Sequence, residues 1–503
     1  MTRVVRRNIL FYFVVLAVFG LGIYLTLSFG ARLRPGSAAA QAVGSASSPG
    51  ESRPAADANA ANSNAANARD TAAAADAPRP ANPRHPLAVL LLQVIVVIVA
   101  ARVCGALSVR AGQPAVIGEI VAGIVLGPSL LGMLFPSAQA FLFPASSMGF
   151  LSLLSQLGVI LFMFVVGMDL NVQHLRQKAD AAVLVSHASI VVPFFLGVAF
   201  SLLVYTSVAP PQIPFAAFAL FIGVAMSITA FPVLARIVEE RGLNKTHLGS
   251  TAIACAAVDD VTAWCVLAVV AAVVTAGGLA SSLPTILLTL AFIGVMLFVV
   301  KPRAERFAVT KSPGEAGDKA PVAWALAFML ASALATEVIG IHALFGAFLA
   351  GVVMPSRGRL RALLRERLET FSSVLLLPLF FAFTGLRTQV GLLDDLQGWL
   401  MCAGVIAVAV AGKLGGSTLA ARWTGMGWRE SFSVGALMNT RGLVELIVLN
   451  LGYDLGILPP RIFAMMVLMA LVTTAMTGPL LSLAESAWRP EPAVESEPAA
   501  HAA

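Results

Sequence analysis

The sequence predicts an all-α polytopic membrane protein, with thirteen core spans behind an N-terminal anchor helix and the core built as two inverted six-helix repeats. Three observations predict it. Of 503 residues, 58% are hydrophobic and 12% charged, against roughly 25% charged in an ordinary soluble domain. From residue 87 onward, apolar runs of about 20 residues, the length that crosses a bilayer, follow one another almost without pause. Lys and Arg collect in alternate loops, as the positive-inside rule requires. This composition excludes a soluble enzyme, a nucleic-acid binder and a disordered scaffold. The net charge of +7 is then a matter of topology rather than of an anionic partner.

The first element is the apolar run 8–30, behind the basic tail Arg3, Arg6 and Arg7. It is longer than a signal-peptide core of roughly 7–15 residues, so an uncleaved membrane anchor is preferred to a signal. Residues 31–85 are rich in Ala, Asn and Pro without apolar periodicity and read as a disordered linker. The thirteen spans are expected near 87–108, 114–133, 148–170, 180–207, 213–238, 247–277, 283–300, 321–340, 341–355, 371–391, 397–424, 430–452 and 460–485. The membrane domain thus covers 86–485, and 486–503 form a short tail. Loops 2–3, 4–5, 6–7 and 8–9 carry no Lys or Arg. The loops between them hold Arg176 and Lys178; Arg236, Arg241 and Lys245; Lys301, Arg303, Arg306, Lys311 and Lys319; and five arginines from Arg357 to Arg367. That alternation places both termini in the cytoplasm. The run SRGRLRALLRERLE reads as a topology anchor, with a lipid-contacting interfacial helix as the alternative.

A motif is written twice. GEIVAGIVLGP (118–128) in span 2 matches GAFLAGVVMP (346–355) in span 9, with Gly118, Ala122 and Gly123 in register with Gly346, Ala350 and Gly351. FMFVVGMDLNV (162–172) in span 3 matches FFAFTGLRTQV (380–390) in span 10. The repeats are therefore spans 1–6 (87–277) and 8–13 (321–485). Span 7, a single linking helix, reverses the second set relative to the first. Inverted repeats around a midplane site built from broken helices are an architecture of secondary transporters. The fifth helix of each set carries a break signal: SITAFP (227–232), where Pro232 removes a backbone donor, and GALMNTRG (435–442), polar in its middle.

The charges inside these spans are the functional candidates, since a carboxylate at the bilayer centre costs about 2.5–3.5 kcal/mol on insertion scales. Asp259 and Asp260 are adjacent in span 6, about 100° apart on a helix, so one can bind a cation while the other pairs with a base. Lys413 in span 11 is the natural counter-charge. Arg441 and Glu445 in span 12 are four apart, hence on one helix face, and read as a structural salt bridge that orients span 12. Glu119 in span 2 has no evident partner and either lines the pathway or caps a helix. Ser227, Thr229, Asn439 and Thr440 lie at the expected breaks and offer neutral oxygens, although hydroxyls in membrane helices often bond their own backbone. The four cysteines lie in apolar stretches with no CxxC. No HExxH, GxSxG or P-loop is present, so neither an enzyme nor a bound cofactor is expected.

Taken together, SITAFPVLARI, AAVDDVTAW, IHALFGAFLAGVVMP, GLRTQV, AGKLGG and LMNTRGLVELIVLN resemble the second monovalent cation:proton antiporter family, sodium/hydrogen exchanger-like, nearest the plant cation/proton exchangers and their bacterial relatives. The resemblance implies the sodium–proton antiporter fold, a homodimer with a moving core in which spans 5 and 12 cross. It implies that Asp260 is the ion-binding carboxylate and that Lys413 pairs with Asp259, a position that is Asp in electrogenic members and often Asn in electroneutral ones. The expected partners are Na+ or K+, protons and lipid in the inner membrane of a bacterium, with no nucleic acid. The runner-up reading is potassium efflux of the glutathione-gated type, weakened because 486–503 are too short for a regulatory domain. From other classes, an ion channel lacks a filter-like repeat here, and a non-transporting sensor would not need these carboxylates and this lysine. The anchor and linker lie outside both repeats and are expected to be dispensable for transport.

Overall fold

The structure is a computed structural model that describes residues 3–33, 86–169, 179–243, 246–275, 279–310, 319–355 and 359–487. The linker from 34 to 85, the tail from 488, and the loop cations Arg176, Lys178, Lys245, Lys311 and Arg357 lie outside the described residues. Every described element is helical. The anchor is Arg3–Gly30. Spans 1 to 4 are Pro86–Arg110, Ala115–Leu126, Ala145–Asp169 and Ala179–Val208. Span 6 is His247–Thr275, and span 7 begins at Leu279–Gly294 and continues to Thr310. Span 8 is Lys319–Ile339 and span 13 Pro460–Ala487. The apolar runs thus form the helices expected, making an integral, multi-pass membrane protein.

Three elements depart from the sequence reading. Span 9, expected over 341–355, is the ten-residue helix Ala343–Val352, about 15 Å long where the hydrocarbon core measures about 30 Å. A turn at Gly340 (φ 94°) and an N-cap at His342 set its start. Span 10 starts earlier than expected: the arginine-rich run is the helix Arg359–Phe371, which passes through a π-helical turn at Ser372–Leu376 into Leu377–Arg387. Span 2 stops at Leu126, before Gly127 and Pro128, and the chain resumes in the short helices Leu131–Leu134 and Pro136–Leu142.

The helices pack as two bundles. Spans 1, 2, 3, 8, 9 and 10 form one, and spans 4, 5, 6, 11, 12 and 13 the other, with span 7 between spans 6 and 8. The first bundle is set by close backbone approach. A Cβ on Gly123 of span 2 would run into the Ala382 carbonyl of span 10, and one on Gly385 into the Ile120 carbonyl of span 2. The matched residues make the matching contacts: a Cβ on Gly351 of span 9 would meet the Phe164 carbonyl of span 3, and one on Gly167 the Phe348 carbonyl of span 9. Gly118 abuts the Cys104 carbonyl as Gly346 abuts that of Ser332. Helices without side chains at the contact gain dispersion energy that lipid cannot supply.

The anchor joins the second bundle. Gly22 lies on the Phe195 ring and Gly30 on the Phe215 ring, Phe19 meets Phe195 edge-on at 5.4 Å, and Tyr12 meets His187 at 5.3 Å. It is therefore a packed helix on spans 4 and 5. Removing residues 1–33 would uncover that face, so a truncated protein is expected to insert and exchange but to unfold at lower temperature in detergent. An unchanged melting profile would show that the contact contributes nothing. Gly351→Val is expected to destabilise by at least the 1–3 kcal/mol typical of overpacking, whereas Gly20→Val, with nothing within 4 Å of the added atom, should leave the same melting profile in place.

Candidate functional site

Two helices of the second bundle break opposite each other. Span 5 stops at Ser227, runs extended through Ile228 and Ala230, and resumes as Phe231–Glu240. Pro232 sits in that new first turn, where its missing N–H is not needed. Span 12 stops at Met438 and resumes as Leu443–Asp454, bent by 41°. The breaks are bonded to each other. The Ala230 amide donates to the Thr440 carbonyl at 3.0 Å, and the Thr229 hydroxyl donates to the Met438 carbonyl at 3.2 Å. Gly442 makes room for the crossing, since a Cβ there would lie 2.9 Å from Val233 Cγ2 and 3.3 Å from Ala230 Cβ.

Broken helices leave orphan carbonyls and amides that lipid cannot satisfy. Span 13 supplies partners from three threonines. The Arg441 amide donates to the Thr474 hydroxyl at 3.0 Å, and that hydroxyl donates to the Arg441 carbonyl at 2.7 Å. Asn439 Nδ2 donates to the Thr473 carbonyl at 3.3 Å, and the Thr440 and Thr477 hydroxyls lie 3.2 Å apart. The negative end of the first half of span 5 is met by two cations. Arg441 donates to the Ala225 carbonyl at 3.0 Å and the Met226 carbonyl at 2.6 Å. Lys413 Nζ donates to the Ser227 carbonyl, to the Ser189 carbonyl at 3.0 Å, and to Asp259 Oδ2 at 3.0 Å. Lys413 reaches this point from a π-helical turn, Ala411–Gly415, whose Gly412 packs on Pro193 of span 4.

Asp259 and Asp260 are 0% and 2% exposed. Asp259 rests against Thr229 and Lys413, and Asp260 against the Phe231 backbone N–H, at the positive end of the resumed span 5 helix. One oxygen of each, together with Asn439 Oδ1, accepts no hydrogen bond among the described residues. Glu445 is 3.4 Å from Arg441, with both side chains fully buried. Five charged residues are thus buried here: the acids Asp259, Asp260 and Glu445 and the bases Lys413 and Arg441. Three minus two leaves one negative charge when all are ionised. The available donors are carboxylate and carbonyl oxygens, hard ligands that suit a hard cation rather than a soft one. No three His, Cys, Asp or Glu cluster among the described residues.

The structure therefore gathers Asp259, Asp260, Lys413, Thr229, Ser227, Asn439, Arg441 and Glu445 around the crossing. Two readings need correction. The Arg441–Glu445 pair forms at 3.4 Å, but not on one face of a helix: Arg441 lies in the break, and its hydrogen bonds go to the span 5 carbonyls. The oxygen that Ser227 contributes is its carbonyl, because its hydroxyl donates to Val224 of its own helix at 2.8 Å. Glu119 does not join the group. It is half-buried on span 2, facing the charges of Arg102 and Arg236. The Ser189 carbonyl and Thr473, Thr474 and Thr477 escaped the sequence reading, although three hydroxyls within LVTTAMTGP were the available signal.

Residues 97–484 match the family described as sodium/hydrogen exchanger, transmembrane. A Na+/H+ antiporter of Synechocystis is 45% identical over 399 residues, 78% of this chain and 97% of that protein. Cation/H+ antiporter 17 of Arabidopsis thaliana is 42% identical over 404 residues, 80% of this chain and 49% of the relative. K+/H+ antiporter 1 of Saccharomyces cerevisiae is 33% identical over 413 residues, 80% of this chain and 47% of the relative. The chain thus spans nearly all of the cyanobacterial relative and about half the length of the plant and yeast ones. In fold it is similar to the solved sodium proton antiporter of Methanocaldococcus jannaschii, with a TM-score of 0.56 at 15% identity, over 80% of this chain and 97% of that one.

Lys413→Ala removes the side-chain cation bonded to Asp259 and strands two carbonyls. Breaking a buried pair in this way typically costs about 3–5 kcal/mol. The variant is expected to unfold at markedly lower temperature in detergent, and adding Asp259→Asn should recover part of the loss. Equal stability of the single and double variants would show that the pair is not coupled.

Proposed function

The chain belongs to the sodium/hydrogen exchanger family, transporters rather than enzymes, and on that premise we propose that it exchanges a monovalent cation, Na+ or K+, for protons by alternating access at the Asp259–Asp260 pair. The observation that carries this reading is the charge count at the crossing. Lys413 answers Asp259 and Arg441 answers Glu445, which leaves Asp260 without a cationic partner in a buried site. A single monovalent cation or a single proton neutralises it, and neither can be present in full while the other is.

In this reading Asp260 is the cation ligand, helped by Asp259, Thr229 and the free oxygen of Asn439. The cation draws Asp259 away from Lys413 when it binds, and protons restore the pair when it leaves. If two protons enter for each cation leaving, turnover moves net charge and responds to membrane potential. The bundle of spans 4, 5, 6, 11, 12 and 13 carries the site past a scaffold of spans 1, 2, 3, 8, 9 and 10. The inverted relation of the two sets, a homodimer formed through the scaffold, and a bacterial inner membrane with cytoplasmic termini belong to the same proposal. The relatives include a Na+/H+ antiporter and a K+/H+ antiporter, so the cation is Na+ or K+.

Asp260→Asn is expected to insert normally and to reduce cation-driven proton flux in proteoliposomes to background. Wild-type flux in that variant would overturn the site assignment. In the wild type the apparent affinity for Li+, Na+ or K+ should weaken as pH falls, because protons occupy the carboxylates. An affinity independent of pH would contradict shared occupancy.

A further inference from the structure

One helical turn beyond Asp260, on the same buried stripe of span 6, stands Trp264, 2% exposed. Its ring stacks on Phe348 of span 9, with centroids 6.3 Å apart and planes inclined by 24°. The two rings belong to different bundles. Phe348 is fixed to the scaffold, because its carbonyl is the atom against which Gly167 of span 3 packs. One turn to the other side of Asp260 the same stripe carries Ala256, then Ala252, both fully buried. Along this stripe of span 6 the bulk is therefore one-sided. By the alternation of loop charges, the Trp264 side is the one away from the arginine-bearing loops. The indole N–H of Trp264 finds no acceptor among the described residues, so ring packing rather than a hydrogen bond holds it.

A second contact closes the same half of the boundary between the bundles. Arg387, at the end of span 10, donates to Asn450 Oδ1 at 3.0 Å and pairs with Asp454 at the end of span 12. Asn450 in turn donates to the Thr384 hydroxyl at 2.8 Å. The guanidinium lies over the Phe383 ring of the scaffold and the Tyr453 ring of the moving bundle, at 4.9 and 4.8 Å.

We propose that the Trp264–Phe348 stack is the outer barrier of the ion site, a seal that separates Asp260 from the external solution in this conformation and parts when the moving bundle travels. The polar contacts of Arg387 hold the two bundles in register above it. The inference rests on the exchange reading and extends it to the residues that keep exchange coupled. An apolar seal one turn thick prevents protons from reaching the carboxylates without the movement that carries the cation. Its loss shows as leak before it shows as loss of binding.

The test uses the full chain reconstituted in liposomes with a pH-sensitive dye, read in two ways: proton flux driven by Na+ or K+, and decay of a pH gradient with no transportable cation. Trp264→Ala and, from the other bundle, Phe348→Ala are expected to raise the cation-free decay about ten-fold, as loss of a buried aromatic contact implies. Trp264→Phe should keep the seal and stay near the wild-type decay rate. Either alanine variant suffices should the other not insert. An inserted alanine variant that still exchanges with a wild-type decay rate overturns the seal while leaving the exchange reading intact. Absence of cation-driven flux in the wild type would overturn the exchange reading itself.

Discussion

Five charged side chains lie buried at the crossing of spans 5 and 12, and the rest of the second bundle is arranged around the cost of putting them there. Three are acids and two are bases. A charge in a low-dielectric interior needs a counter-charge and hydrogen bonds at close range, or it needs a proton. Breaking spans 5 and 12 provides what continuous helices do not: free carbonyls for Lys413 and Arg441, and a helix N-terminus facing Asp260. The cations bind the backbone as much as the carboxylates. A site held in this way keeps its shape when one carboxylate changes its partner.

Both bundles use close glycine packing, the second at Gly197 on Gly223, Gly412 on Pro193 and Gly435 on the Leu414 carbonyl, and they differ in where their polar groups meet. In the scaffold, Gly123, Gly385, Gly351 and Gly167 let backbones touch. Such contacts tolerate no added atom and give a rigid frame. In the other bundle, polar groups from spans 4, 5, 6, 11, 12 and 13 meet at one point. Between the bundles lie side-chain contacts, an aromatic stack and an arginine network. Contacts of that kind can part and re-form, whereas interlocked backbones cannot.

Much of this was legible in the sequence where the signal is a property of single residues. Apolar length located the spans, Pro232 and the MNTRG stretch located the breaks, and intramembrane charge singled out Asp259, Asp260 and Lys413. The reading went astray where backbone atoms act. No residue type announces that the Ser189 or Ser227 carbonyl will accept from a lysine. Four-residue spacing suggested a helix face for Arg441 and Glu445 because the spacing rule assumes an unbroken helix. The threonines of span 13 looked like ordinary membrane hydroxyls, since their task appears only once an opposing break leaves amides and carbonyls unpaired. Span 9 is ten residues rather than fifteen because the cap at His342 starts it at Ala343 and it stops at Val352, ahead of Pro355, while the apolar run covers both ends.

The central claim is that one uncompensated negative charge in this buried cluster is answered alternately by a cation and by protons. Counting protons released when Na+ or K+ is added to purified protein in weakly buffered detergent solution tests it most directly, across the pH range in which the protein exchanges. The account predicts release of at least one proton per cation bound, absent in Asp260→Asn. Saturable cation binding with no proton release at any pH would contradict it.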